Sequence, residues 1–157
     1  MDTSIIIIGI VVTFLFAIPF YYSARSSSVN KSKIKSIKDQ FSQNGHFNFE
    51  VTETLNKKVL ALDEKNKGFL LMDFNSKPEI VSFVNLNDIL SSKLVVSTEN
   101  KTNTTNRIEL EFNYKENKKA ATALFYKIEN DQLGQIRLHE DHQLAKKWKD
   151  KIDSCIS

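Results

Sequence analysis

The chain has little of what most recognisable sites are built from. Its 157 residues include one cysteine, Cys155, so it cannot assemble a disulfide framework or a multi-cysteine zinc or iron–sulfur site by itself. Four glycines and two prolines exclude glycine-rich phosphate loops as a theme and leave no low-complexity linker. Neither sign of charge dominates: 22 basic and 19 acidic residues give a net +3. What is present, 41% hydrophobic and 26% charged residues, fits one folded domain of ordinary size rather than a disordered or fibrous chain.

The apolar residues are unevenly distributed. Residues 5–22, IIIIGIVVTFLFAIPFYY, carry no charge. As a helix these 18 residues would span about 27 Å, close to the ~30 Å hydrocarbon core of a bilayer. Tyr21 and Tyr22 suit the headgroup level, and Pro19 falls near the same end, where a kink breaks few hydrogen bonds. Residues 1–4 contain no Lys or Arg, and Tyr22-Ser23-Ala24-Arg25 offers no small-x-small cleavage pattern. The segment therefore reads as a retained single-pass transmembrane helix, with residues 1–4 as a tail and 23–43 as a juxtamembrane linker. Asp2 precedes it; Arg25, Lys31, Lys33, Lys35 and Lys38 follow it, against the single acid Asp39. This positive flank predicts an N-terminus outside the inner membrane and a C-terminal domain in the cytoplasm.

The excess charge sits in that linker. Five of the 22 basic and two of the 19 acidic residues precede residue 44, which leaves 17 of each for residues 44–157. The pI of about 8.9 therefore describes a strip and gives no support to nucleic-acid binding. In that strip Ile34, Ile37 and Phe41 recur at helical spacing with lysines between them. A basic amphipathic helix of this kind can lie on anionic headgroups, with Arg25, Lys31, Lys33, Lys35 and Lys38 at the membrane surface. A plain stop-transfer flank with a spacer is the other reading.

From residue 44 the pattern turns to short β-type runs. Phe47, Phe49 and Val51 alternate with polar residues; 59–63 and 69–74 flank a turn-rich connection; 79–84, 93–98, 107–115 and 121–128 complete seven strands. The last segment, 139–157, changes period: Leu144/Ala145, Trp148, Ile152 and Cys155/Ile156 are three to four apart. Glu140 and Asp141 are expected to open this helix. The predicted fold is mainly β with a C-terminal helix: a seven-stranded antiparallel sandwich or partly open barrel over 44–157, covered by one helix with Trp148 and Ile152 as structural residues.

Seven strands followed by a helix with a tryptophan on its buried stripe resemble the pleckstrin-homology superfold, in which the helix caps a bent sandwich. More narrowly, KKVLALDEKNKGFLL (57–71), VNLNDILSSKLV (84–95) and QLAKKWKDKI (143–152) resemble a group of uncharacterised membrane-anchored proteins of Bacteroidetes-type bacteria. The resemblance implies a binding or scaffolding role, with a protein or peptide as partner, and carries no ligand with it. Inositide-binding members of the superfold are similar in clustering Lys and Arg between the first two strands, where this chain has Leu55-Asn56-Lys57-Lys58. Two lysines without an arginine match that pattern poorly.

No enzymatic constellation emerges, and no cofactor or metal is expected. His139-Glu140-Asp141-His142 is the one dense cluster of ligand-type side chains and reads as a solvated first helical turn. His46 stands alone before a strand; Asp63 and Asp73 fit strand-end turns; Cys155 lies on an apolar stripe without a base beside it. The Asn-x-Ser/Thr triplets at Asn30, Asn100 and Asn103 matter only in a secreted eukaryotic chain. The expectation is a cytoplasm-facing membrane-anchored binding protein. The alternatives are an extracytoplasmic envelope structural factor and a metal-dependent enzyme built on the 139–142 turn.

Overall fold

The computed structural model describes residues 31–99, 104–116, 119–128 and 132–157. The segment 5–22, Arg25 and the triplet asparagines Asn30, Asn100 and Asn103 lie outside the described residues. Among those described, no helix is long and apolar enough to cross a membrane. The chain divides into two compact units, residues 1–40 and 41–157. In the first, residues 31–40 are helical (α1), with Lys31, Lys33 and Lys35 exposed and Ile34, Ile37 and Lys38 half-buried.

The described residues of the second unit form seven strands in two antiparallel sheets, and a C-terminal helix. The first sheet has β1 (Val51–Leu55), β2 (Lys58–Asp63), β3 (Gly68–Asp73) and β4 (Ile80–Asn85) in sequence order; the second has β5 (Ile89–Thr98), β6 (Thr105–Tyr114) and β7 (Ala121–Lys127). A 3₁₀ turn, Leu86–Asp88, carries the chain between the sheets, and α2 (Gln132–Ile156) closes the unit. The β1–β2 connection is two residues, Asn56 and Lys57, with φ of +49° and +59°. Positive φ at both central positions is the hairpin turn whose twist matches the strands, and asparagine tolerates it better than lysine.

One core fills the space between the sheets and α2, with Leu60, Leu62, Phe69, Leu71, Ile108, Leu110, Phe112, Phe125, Trp148 and Ile152 at its centre. The strict alternation of β6 puts Ile108, Leu110 and Phe112 into it. β2 and β3 behave differently: every residue in both is buried, so their apolar runs pack on two faces. The second face carries Ala61, Leu70 and, opposite Leu70 in the ladder, Phe83. Phe41, Phe47 and Phe49 gather around the Phe83 ring at centroid distances of 5.6, 5.2 and 6.4 Å. Gly68 permits this layer, because a Cβ there would lie 2.5 Å from the Phe47 ring. Phe47 and Phe49 thus cover the sheet without forming strand, β1 starting only at Val51, and Phe41 belongs to the compact unit rather than to a spacer.

Two of the three register shifts in the described ladders re-aim large side chains. In the β6–β7 ladder Ile108 faces Tyr126 and Glu109 faces Leu124, so Phe125 is the extra residue and both Phe125 and Tyr126 are buried. In the β5–β6 ladder Ile89 faces Tyr114 and Ser91 faces Asn113, which leaves Leu90 unpaired and turned outward.

Candidate functional site

Helix α2 is fixed to the sheets at three levels, each by a side chain at a position that the strand period aims at the helix. Near its C-terminus Asp153 accepts hydrogen bonds from Ser92 of β5 and from Lys149, one turn earlier. In the middle, the Trp148 indole N–H donates to Glu53 of β1 at 2.8 Å, and Lys147 donates to the same carboxylate at 2.8 Å. Burial pushes the Glu53 carboxyl up, but the hydrogen bonds from Lys147 and Trp148 and the charges of Lys147 and Lys151 outweigh it and hold the group below its usual range. The Trp148 ring packs against Phe69 at 5.9 Å, with Lys151 Nζ 5.3 Å from its centroid.

The third level overturns the expectation for residues 139–142. The pattern there predicts a solvated first turn, but the helical backbone starts seven residues earlier, at Gln132, so His139-Glu140-Asp141-His142 lies within the helix. Gly134, costly in a helix interior by about 1 kcal/mol, obscures that earlier start in the sequence. Asp141 is 1% exposed and pairs with Lys58, 5% exposed, at 3.0 Å. Asn56 Nδ2 donates to Glu140 at 2.9 Å and to the other Asp141 oxygen at 3.3 Å. Glu140 and His139 are exposed and His142 is half-buried. Among the described residues no group of three or more His, Cys, Asp or Glu side chains comes together as a metal site.

This buried pair carries a signal in the sequence. Leu138, Asp141, Ala145, Trp148 and Ile152 follow one helical stripe, with an acid at an apolar position. Lys58 shares the inner face of β2 with Leu60 and Leu62. Each is a charge in a core slot, and their signs match. Lys58 is therefore a strand residue aimed inward, and only Lys57 of the β1–β2 lysines faces solvent.

The remaining singled-out residues are scattered. Asp63 and Asp73 stand at opposite ends of the β2–β3 ladder. Asp63 accepts from the backbone N–H of Asn48 and Asn66 and from the Asn66 side chain; Asp73 accepts from the backbone and side chain of Asn75. The His46 ring is edge-on to Phe47 at 4.6 Å. Burial, then the Glu64 charge, push the Cys155 thiol up, which favours the unreactive protonated form. Trp148 and Ile152 are both fully in the core.

Among the described residues, the two most exposed large apolar side chains are on one strand, ahead of Ile80 on β4. β5 is an edge of its sheet and ten residues long, and carries Leu90 at 64% exposure and Val96 at 43%. Val96 faces the buried Ile108 across the ladder, so it lies on the core-side face of the strand. Exposed Lys93 lies between them. The strand is much longer than its apolar run 93–98 predicts, because Ile89, following the 3₁₀ turn, is anchored in the core. The chain matches no protein-family model, no curated protein and no solved structure.

Proposed function

We propose that the chain is a single-pass inner-membrane protein whose pleckstrin-homology-like domain faces the cytoplasm and binds a protein or peptide partner along β5. Residues 5–22 would span the bilayer, and Arg25, Lys31, Lys33, Lys35 and Lys38 would lie against anionic headgroups. The order of seven strands and a helix is the support for the superfold, and the membrane-anchored Bacteroidetes-type group is the family that the sequence resembles. The observation that carries a binding role is the β5 edge. A long edge strand with exposed Leu90 and Val96 is a feature that stable monomers blunt, and here Lys93 is the one charge on it. An extended segment adding to such an edge gains main-chain hydrogen bonds and two apolar contacts.

The test has two readouts on the full chain in its native membrane. A C-terminal fluorescent fusion should be bright and a C-terminal alkaline phosphatase fusion inactive; the reverse pattern sinks the cytoplasmic assignment and favours an envelope factor. A photo-reactive residue at position 96 should give one discrete adduct that the same residue at exposed Thr122 on β7 does not give. Equal labelling from both positions refutes β5 as the binding edge.

A further inference from the structure

Residues 42–46 turn the chain just before the phenylalanine layer, and nothing in the proposed binding role uses them. Three consecutive residues there, Gln43, Asn44 and Gly45, have positive φ, of +48°, +59° and +87°. Glycine takes such a conformation freely and asparagine tolerates it, whereas for glutamine it is unfavourable, so the turn is weakly held. Two backbone bonds span it: Phe47 N–H donates to the Ser42 carbonyl at 3.0 Å, and His46 N–H to the Gln43 carbonyl at 3.4 Å. The Gly45 N–H is in neither bond, and residues 43–46 are all exposed. A Cβ added to Gly45 would meet nothing within 4 Å, so no neighbouring group restrains that residue. Opening a segment of this kind breaks few contacts.

The asparagine side chains of the described residues fall into two groups. Those of Asn48, Asn56, Asn66, Asn75, Asn87 and Asn113 each donate through Nδ2 to an oxygen of another residue. Asn75 is exposed and precedes small Ser76, yet its Nδ2 is held by Asp73 at 2.7 Å and by the Asn56 carbonyl at 2.8 Å. Exposed Asn44 makes no such bond, and among the described asparagines it alone precedes a glycine.

We infer that Asn44 is a site of spontaneous covalent modification, deamidating through a succinimide to aspartate and isoaspartate. The Gly45 backbone nitrogen gives up its proton to water and attacks Asn44 Cγ. The N–Cγ bond forms, the Cγ–Nδ2 bond breaks, and Nδ2 leaves as ammonia, taking up one proton from solvent. Water then opens the ring. Its addition at Cγ breaks the N–Cγ bond and gives aspartate; its addition at the Asn44 main-chain carbonyl carbon breaks that carbon's bond to nitrogen and gives isoaspartate. Water is the co-reactant, and nothing is oxidised or reduced. A side chain at position 45 would crowd the attacking nitrogen, and glycine has none. Isoaspartate carries the chain through an extra methylene. The turn lies between Phe41 and Phe47, which both pack on the Phe83 ring, so this product strains the connection that lets both rings reach it.

The experiment incubates the purified full chain at mildly alkaline pH, folded in detergent and unfolded in urea, and follows it by tryptic peptide mapping. Cleavage after Lys38 and Lys57 yields residues 39–57, which hold Asn44, Asn48 and Asn56 in one peptide. In the folded chain, fragmentation should place the exchange of NH2 for OH at Asn44 at least an order of magnitude faster than at Asn48, Asn56 or Asn75. Two products of equal mass and different elution should appear, one for each direction of ring opening. In urea, where the turn is gone, Gly45→Ala should slow the conversion by a similar factor. Conversion at Asn44 no faster than at Asn75 would overturn the inference, as would an Asn44 that stays intact in the folded chain while it converts in urea. A urea rate unchanged by Gly45→Ala would overturn the succinimide route. None of these outcomes touches the proposed binding role, because the fusion and labelling readouts do not involve this turn.

Discussion

Replacing Trp148 by alanine tests how α2 is held. The indole is buried to 1% exposure, packs on Phe69 and donates to Glu53, so the substitution removes a large packed group and a charge-assisted hydrogen bond together. Loss of a buried tryptophan costs ~3–5 kcal/mol, and little of the gap can close because Phe69, Phe112 and Ile152 are themselves fixed in the core. In a domain of this size each kcal/mol moves the melting temperature by roughly 3–5 °C, which predicts a fall of about 9–25 °C. Trp148→Phe separates the contributions. It keeps a ring against Phe69 but abandons the Glu53 bond, and since Lys147 still pairs with Glu53 the cost should be about 1–2 kcal/mol. Lys149→Ala removes one partly exposed i,i+4 pair and should stay within ~0.5 kcal/mol of wild type. Thermal unfolding of the three variants, followed by circular dichroism on the full chain in detergent, gives the ranking. A Trp148→Ala melting temperature indistinguishable from that of Lys149→Ala would refute the reasoning.

Two further outcomes follow from the turns. Burial pushes the Asp63 carboxyl up, but hydrogen bonds from the backbone of Asn66 and Asn48 and from the Asn66 side chain outweigh it, so its folded pKa is depressed. The unfolded chain then holds that proton more tightly, and the stability it contributes is complete above the unfolded value of about 3.9 and is lost as pH falls through the folded one. Asp63→Asn should therefore be less stable than wild type at neutral pH and lose less on acidification, as read from urea midpoints between neutrality and acid; parallel curves would exclude Asp63. Lys57 holds φ +59° and is exposed, so Lys57→Gly should raise the urea-unfolding stability by about 0.5–1 kcal/mol, and a loss would mean that the lysine side chain itself contributes.

Local pattern made much of the fold legible. Period-2 runs locate most of the seven strands, and β6 alternates so strictly that its inward residues Ile108, Leu110 and Phe112 can be read directly. The change to a three-to-four spacing after residue 139 identifies a helix and the stripe bearing Trp148 and Ile152. These features are legible because side-chain periodicity is a property of the backbone, expressed by each segment alone. The anchor-like segment 5–22 and the lysine excess after it are equally local.

What local pattern leaves open is settled where distant segments meet. Nothing local says that Phe41, Phe47 and Phe49 gather on Phe83 across a glycine, because the face they cover belongs to strands that follow them in the chain. Leu90 turns outward because the ladder skips it, and a register shift exists only once β5 and β6 pair. The 139–142 cluster is the sharpest case. Read locally, four polar residues in a row look like a solvated start, and only the partner decides otherwise. Asp141 is buried because Lys58, 83 residues earlier, occupies the inner face of β2 at the same height. A charge in a core position marks its own need for a counter-charge within a short stretch of sequence, but which residue answers that need is decided by the packing of α2 on the sheets, since burial of one charge is tolerated only where folding brings the other.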